Sequence, residues 1–258
     1  MDFSGGWDSA ATLVDGRWVE RRPRRPEVAG QLRTEVRLMP WLAPRLPLPV
    51  PVPHLVSDEP LVIRHELVPG EPLERPDAEA GRRLGLFLRA LHDCPVDEAI
   101  RHGLPTAREA AVQHLATLDR FHAEVVPMLP AGLRPAAVSL LDAMRNPPGD
   151  TVVHGDLGPE HVLGDEGGIT GVIDFGDTHA GDAAIDLAWT TYGTPKEFAT
   201  ALTAAYGITD ALRERASRWH RLGPWHEVTH GLDTEDPDTV RDGLDGVVTR
   251  LTDIRLSG

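Results

Sequence analysis

This chain of 258 residues holds one cysteine, Cys94. No intramolecular disulfide can form from it. It lies in a His-Asp-Cys-Pro run at a helix end, so the thiol reads as structural and thiol catalysis is set aside. No run of about 18 apolar residues occurs, and the opening Met-Asp-Phe-Ser-Gly-Gly lacks the basic and apolar regions of a secretion signal; a cytoplasmic protein with no membrane span is expected. Positive charge is also scarce, with 26 Lys and Arg against 40 Asp and Glu, a net charge of -14 and a pI near 5.2. Binding a phosphate backbone needs a basic face, so nucleic acid and anionic membranes are disfavoured as partners. A cationic or neutral small substrate suits the balance better. With 41% hydrophobic residues in 28.1 kDa, the chain can build one large domain or two lobes.

Polar chemistry concentrates between Thr151 and Trp189. The stretch carries His154-Gly-Asp156, then Glu160-His161, a turn from Gly164 to Gly168, Ile173-Asp174-Phe-Gly176, and Gly181-Asp182 opening a helix through Asp186. β-rich runs on both sides of the Asp-Glu-Gly-Gly turn predict a hairpin folded about Glu166 and Gly167. Residues whose numbers sum to about 333 then face each other, which puts His161 across from Val172 and close to Asp174. Asp156 ends the loop that leads into the hairpin. Three polar side chains therefore converge at one end of a small sheet, as they do at a site.

Upstream, Gly5-Gly6 either brings backbone close to a phosphate or is a flexible lead-in. Asp15-Gly16 separates Ala11 to Val14 from Trp18 to Arg22 as a tight hairpin turn would. In the second strand Val19 and Arg21 share one face and Glu20 and Arg22 the other, so one arginine points inward. Val28, Leu32, Leu38, Met39 and Leu42 make a helical apolar stripe with Glu35 in its middle. A carboxylate buried there needs a cation, and Arg21 is the expected partner; at the edge of the stripe it is instead solvated. Pro44 to Pro53 reads as extended, and Leu55 to Ser57 and Leu61 to Leu67 as strands. Pro69-Gly70-Glu71-Pro72 breaks the pattern and marks a lobe boundary, giving residues 1–68 as an N-terminal lobe and 69–258 as a C-terminal one. Glu66 to Val68 is either a plain loop or a hinge whose backbone meets a flat base.

The remainder is mostly helical. Helices are expected over Asp77 to His92, Ala107 to Val126, Pro135 to Met144, Ala183 to Tyr192, Pro195 to Tyr206, from Asp210 towards Thr229, and Pro237 to Ile254. The fold class is α+β, a small β-rich lobe followed by a larger helical lobe with one embedded hairpin.

The central stretch resembles the aminoglycoside and macrolide phosphotransferases, small-molecule kinases with a bilobal protein-kinase-like fold. His154-Gly-Asp156 with a metal-ligand position five residues on, Ile173-Asp174-Phe-Gly176, and Gly181-Asp182 with Asp186-Leu-Ala carry the likeness. In the first lobe, Trp18 to Arg25 and Leu32-Arg-Thr-Glu35 match the cation strand and the partner-glutamate helix. The resemblance implies transfer of the γ-phosphate of ATP or GTP to an alcohol, mainly by positioning and charge neutralisation. It makes Asp156 the residue that accepts or orients the acceptor's proton, and Asp174 and His161 the ligands of Mg²⁺. Arg21 held by Glu35, with Ser9, Glu66 and Val68, forms the nucleotide site. His154 and Asp186 support the catalytic loop, and Asp182 caps its helix. The acceptor falls near Trp189, Tyr192, Trp225, His226, Glu227 and Asp233, where rings stack on a substrate and carboxylates pair with an ammonium, or where tryptophans are simply core. Two positions depart from the pattern. His161 stands where most relatives have asparagine, a feature associated with the macrolide branch, and Arg21 stands where lysine is usual. The expected acceptor is an antibiotic, in resistance or self-protection, and the second choice a metabolite alcohol such as a sugar or hydroxylated amine.

Two other readings share these letters. His154-X-Asp156 with a distant His220 or His226 spells the facial triad of non-heme iron oxygenases, which requires an all-β barrel. A nucleotide-binding module that has lost catalysis accounts for His161 and Arg21 but not for Asp156 and Asp174.

Overall fold

The computed structural model describes residues 2–3, 9–26, 28–74 and 76–253; Gly5-Gly6 lies outside them. The first part is an antiparallel sheet in the order β1-β2-β3-β5-β4, from β1 (Asp2–Phe3), β2 (Ser9–Val14), β3 (Trp18–Pro23), β4 (His54–Asp58) and β5 (Leu61–Glu66). Asp15 and Gly16 both have positive φ, 53° and 64°, the conformation a tight hairpin turn with matching strand twist requires. The helix α1 (Val28–Leu42) packs on this sheet. Its buried residues fall into two groups, because Val28 and Leu32 join Leu61 and Ile63 under the sheet while Leu38, Met39 and Leu42 reach into the main core. One helix thereby ties the sheet to the helical body.

The helical body comprises α2 (Ala78–His92), α3 (Val96–Arg101), α4 (Ala107–Arg120), α5 (Arg134–Ala143), α6 (Ala184–Tyr192), α7 (Lys196–Tyr206), α8 (Asp210–Asp233) and α9 (Pro237–Thr252). Asp77 caps α2 by accepting from the Ala80 N–H at 2.8 Å, and Thr106 with Glu109 forms a capping box on α4. Gly81 and Gly85, one turn apart, let α2 approach α7: a Cβ on Gly81 would stand 2.3 Å from the Phe198 carbonyl oxygen. The architecture is that of a bilobal α+β protein of the protein-kinase-like type.

Three short pairings set the site. β6 (Glu71–Pro72) joins β8 (Val162–Asp165) and β9 (Gly168–Val172), while β7 (Thr151–Val153) pairs with β10 (His179–Gly181). The hairpin register differs from the expected one. Asp165 pairs with Gly168 and Gly164 with Ile169, but Leu163 pairs with Gly171. Thr170 is thus an extra residue in a bulge, which shifts everything beyond it by one. His161 consequently faces Ile173, whose N–H it accepts at 2.9 Å, rather than Val172. The helix α3 was absent from the sequence expectations, because six residues of Val-Asp-Glu-Ala-Ile-Arg are too short for periodicity to register.

Candidate active site

The catalytic-loop segment is fixed from below by one carboxylate. Asp186, fully buried on α6, accepts the His154 N–H at 2.7 Å through Oδ2 and the Gly155 N–H at 3.0 Å through Oδ1. Burial alone would raise its pKa, yet the hydrogen bond and charge of His92 with the backbone donor of Gly155 hold it below the usual carboxylate range. His92, at the end of α2, supplies that support at 3.0 Å and also meets the Tyr206 hydroxyl at 2.8 Å. Sequence reasoning missed it; a histidine closing the apolar face of a helix was the available signal. Gly155 is required where it is, since it has φ +90° and a Cβ there would lie 2.3 Å from the Asp177 carbonyl oxygen.

His154 is buried and neutral, its pKa lowered by desolvation. Its Nε2–H donates to the Ile173 carbonyl at 2.9 Å and its Nδ1 accepts the Asp156 N–H at 3.3 Å, so it links the loop to the segment that leads from β9 to Asp174. Asp156 projects from this scaffold with its side chain 63% exposed. His161 donates Nδ1–H to the Asp156 carbonyl at 2.7 Å, which leaves the Nε2 lone pair pointing 3.8 Å from Asp174 Oδ2. Asp174 has φ +64°, a left-handed conformation that costs on the order of 1–3 kcal/mol for a residue with a side chain and persists where the surroundings enforce it.

From the sheet side, Arg21 reaches the same place. It donates to Glu35 Oε2 at 2.7 Å and to Ser9 Oγ at 3.0 Å, and stands 3.7 Å from Asp174 Oδ1. Ser9 therefore bears on the site through the guanidinium it orients. Glu35 is 2% exposed. Burial outweighs the Arg21 charge and raises its pKa to about 7, with Asp174 adding to the rise. The other face of β3 is filled by Arg22 and Arg64 on Glu20, so the inward arginine is Arg21. In the connector after β5, the Leu67 N–H donates to the Arg17 carbonyl and the Glu66 carbonyl accepts from the His65 ring, while Glu66 itself pairs with Arg17 at 2.5 Å. Among the described residues the Val68 N–H has no hydrogen-bond partner.

Asp182 does more than the capping expected of it. The cap position of α6 is Ala183; Asp182, one residue earlier, accepts from Ala184 N–H at 3.1 Å, from Arg215 at 3.1 Å and from Trp219 Nε1 at 3.2 Å. It anchors α8 to the loop. On the catalytic side of α8, His226 packs edge-on to Phe121 at 4.9 Å between ring centroids. Solvent reaches His226, but the walls around it desolvate the ring and lower its pKa, opposed by the nearby Asp156 carboxylate.

The other residues expected from sequence to meet the acceptor make the following contacts. Trp225 is wholly buried in the core of α4, α5, α8 and α9, because α8 turns that face inward. Trp189 packs on Phe198 at 6.4 Å, Tyr192 donates to the Arg213 carbonyl at 3.1 Å, and Asp233 is held by Arg120 at 2.6 and 2.9 Å. Glu227 is exposed on the α9 side, where its charge acts on Arg250. None of the five makes a hydrogen bond, ion pair or ring contact with Asp156, His161 or Asp174.

Among the described residues, no three His, Cys, Asp or Glu side chains gather closely enough to hold an ion unaided. Asp174 Oδ2 and the free Nε2 of His161 nevertheless face each other at a spacing two ligands of one cation can adopt, and Mg²⁺ ordinarily takes one or two protein ligands with phosphate and water oxygens. The residues fit the ion on those terms.

A five-stranded sheet set over a helical body, with a carboxylate-bearing hairpin at the junction and a buried glutamate holding a strand cation, is the layout of a kinase-like phosphotransferase. The model of the phosphotransferase enzyme family matches residues 2–224, and the chain belongs to that family. It is a phosphotransferase. Among solved structures, a GDP and kanamycin complex of APH(2")-IIia has a TM-score of 0.83 at 24% identity, covering 97% of this chain and 92% of that one. The apoenzyme of macrolide 2'-phosphotransferase MphH from Brachybacterium faecium gives 0.72 at 24% identity, covering 95% and 90%. A streptomycin-ATP-APH(2")-IIa ternary complex gives 0.71 at 19%, covering 96% and 90%. Likeness at these identities is likeness of fold. No curated protein sequence matches the chain. Among the described residues no helix is long and apolar enough to cross a membrane.

Proposed function

We propose that the protein transfers the γ-phosphoryl group of ATP or GTP to a hydroxyl of a small-molecule antibiotic, a macrolide, an aminoglycoside or a related natural product. The observation that carries this reading is the gathering of Asp156, His161 and Asp174 at one end of the hairpin, with Arg21 pinned by Glu35 opposite. In this reading residues 1–68 bind the nucleotide, with the Val68 N–H meeting the base and Arg21 the α and β phosphates. Residues 69–258 carry catalysis and the acceptor. Asp156 accepts the acceptor hydroxyl's proton or orients it for in-line attack. Asp174 and His161 hold Mg²⁺, which when bound neutralises charge on the phosphates. His154 and Asp186 keep the loop in register.

The acceptor wall tilts the choice of antibiotic. Of the two carboxylates expected to pair with ammonium groups, Asp233 is held by Arg120 and Glu227 is exposed with its charge acting on Arg250, while the ring near Asp156 is His226 over Phe121. Such a wall suits a neutral acceptor or one with a single amine, in the manner of a macrolide, better than a polycation. A metabolite alcohol is the second reading, favoured by the same lack of carboxylates. Mass spectrometry of an antibiotic panel incubated with enzyme, Mg²⁺ and either ATP or GTP tests the proposal. A gain of one phosphate on a macrolide supports it; phosphate gained only by sugars or hydroxylated amines moves the function to the metabolite alcohols.

A further inference from the structure

The five-stranded sheet ends on β4, and this edge is open. β4 pairs with β5 alone, so its other side turns backbone N–H and C=O groups to solvent. The helix α1 buries Leu61 and Ile63 of β5, yet no side chain of β4 is buried; Leu55, on the same face as Ile63, is 48% exposed. Val56 beside it is 46% exposed, and Val52, just before the strand, 43%. Of the eight large hydrophobic side chains exposed among the described residues, three thus fall within five positions, which makes a patch rather than scattered singles. Edges of this kind are commonly blunted by lysine or proline, and β4, His-Leu-Val-Ser-Asp, has neither. Its one irregularity is a bulge between Leu55 and Ser57, which leaves the consecutive residues Leu55 and Val56 both outward.

The polar ends of β4 indicate what the edge fits. His54 makes no hydrogen bond among the described residues, and its ring is held edge-on to Trp18 at 6.0 Å between centroids. Asp58 accepts from Arg33 at 2.5 Å through Oδ1, while its Oδ2 makes no hydrogen bond among the described residues. Antiparallel pairing of β4 with another β4, centred on Val56, sets His54 of each strand opposite Asp58 of the other. Both ends are then matched, with the two Val56 side chains in the middle. A partner strand of uniform charge would match only one end. The surroundings are also near charge balance, because Arg33 offsets Asp58 while Arg22 and Arg64 meet Glu20. In a protein of net charge -14, two copies approach with least repulsion at such a place.

We propose that β4 is the contact edge for a second copy of this chain, giving an antiparallel dimer in which the two five-stranded sheets become continuous. Arg21 lies on β3, with β5 between it and β4, so the pairing leaves it untouched. A strand of five residues makes a small interface, so association is weak, with a Kd on the order of 10–100 µM.

Sedimentation equilibrium of the full chain tests this. The mass should climb from 28.1 kDa towards twice that value as protein concentration passes the Kd. Val56→Lys, which puts two like charges at the centre of the ribbon, should abolish the climb. His54→Asp and Asp58→Lys each remove the carboxylate-to-base match and should weaken the dimer about three- to tenfold when alone. Mixed in equal amounts, these two variants should associate again, because each junction then joins a carboxylate to a base. Circular dichroism spectra like that of the wild type report that the variants are folded. A mass of 28.1 kDa at every concentration up to about 1 mM, a dimer that survives Val56→Lys, or a mixture no tighter than its two components would overturn the assignment.

Discussion

Arg21 on β3 and Glu35 on α1 meet at 2.7 Å across the space between sheet and helix, and the same guanidinium comes within 3.7 Å of Asp174. The Arg21 guanidinium thus joins β3, α1 and the Asp174 segment at the hairpin whose leading loop carries Asp156 and His161. It also sets a balance. Glu35 is so deeply buried that its proton affinity is high, and Arg21 keeps it from rising further.

Removing Arg21 should therefore act on binding and on stability together. Arg21→Ala is expected to weaken nucleotide binding and to cost about 1–3 kcal/mol of stability, with Glu35 taking up a proton and so escaping the larger penalty of a stranded buried charge. Arg22→Ala, whose partner contact with Glu20 is half exposed, should cost under about 1 kcal/mol and leave nucleotide affinity alone. Urea denaturation and nucleotide titration of both variants decide it; the reverse pattern would reassign the inward face of β3.

The raised pKa of Glu35 gives a pH dependence of known sign. The folded state holds this proton up to about pH 7, while the unfolded chain releases it near 4.5. The folded state thus binds more protons between those values, so this contribution to stability is present below about pH 4.5 and is lost as pH rises to about 7, at most on the order of 3 kcal/mol. Glu35→Gln cannot titrate. Its stability relative to the wild type should rise between pH 5 and 8, measured by thermal unfolding at each pH; a difference that stays flat would show that Glu35 titrates normally.

Asp156→Ala should reduce phosphoryl transfer by about 10²- to 10⁴-fold while nucleotide affinity stays near its original value, since the side chain is exposed and its one ion-pair contact, with His161, is at 3.9 Å. Turnover retained within a few-fold would remove this carboxylate from the mechanism.

His161→Asn replaces an imidazole with an amide oxygen, which Mg²⁺ prefers as a harder ligand. Activity with Mg²⁺ should be kept or improved relative to Mn²⁺. Total loss with both ions would mean that the Nδ1 hydrogen bond to the Asp156 carbonyl, rather than metal contact, is what the histidine supplies.

On the proposed function, His226→Ala should raise the acceptor KM by about 5- to 50-fold with the nucleotide KM unchanged, because the ring packs on Phe121 within electrostatic reach of Asp156. Steady-state kinetics with each substrate varied in turn separates the two. An effect on nucleotide KM alone would place the acceptor elsewhere.

Local pattern was enough for most elements and for part of the site. The apolar stripe from Val28 to Leu42 fixed α1, Asp15-Gly16 fixed a turn, and strand parity left only Arg21 or Arg22 to face Glu35. Each is a short-range rule in which side-chain direction follows from period alone. Long-range placement had no such rule. Whether Trp225 faces core or substrate depends on which way α8 is rotated, and that is settled by α9 and Phe121 packing against it. Likewise the bulge at Thr170 cannot be seen in a turn sequence, yet it moves His161 by one partner.

The sequence by itself determined the two-part α+β architecture, the family, and that one arginine of β3 points inward, because periodicity, turn chemistry and motif spacing act over a few residues. Only the tertiary structure decided that Asp182 clamps α8, that His92 completes the support of Asp186, and that Arg120 holds Asp233. These depend on how helices far apart in the chain are rotated against one another, and burial of side chains from many elements at once sets that rotation.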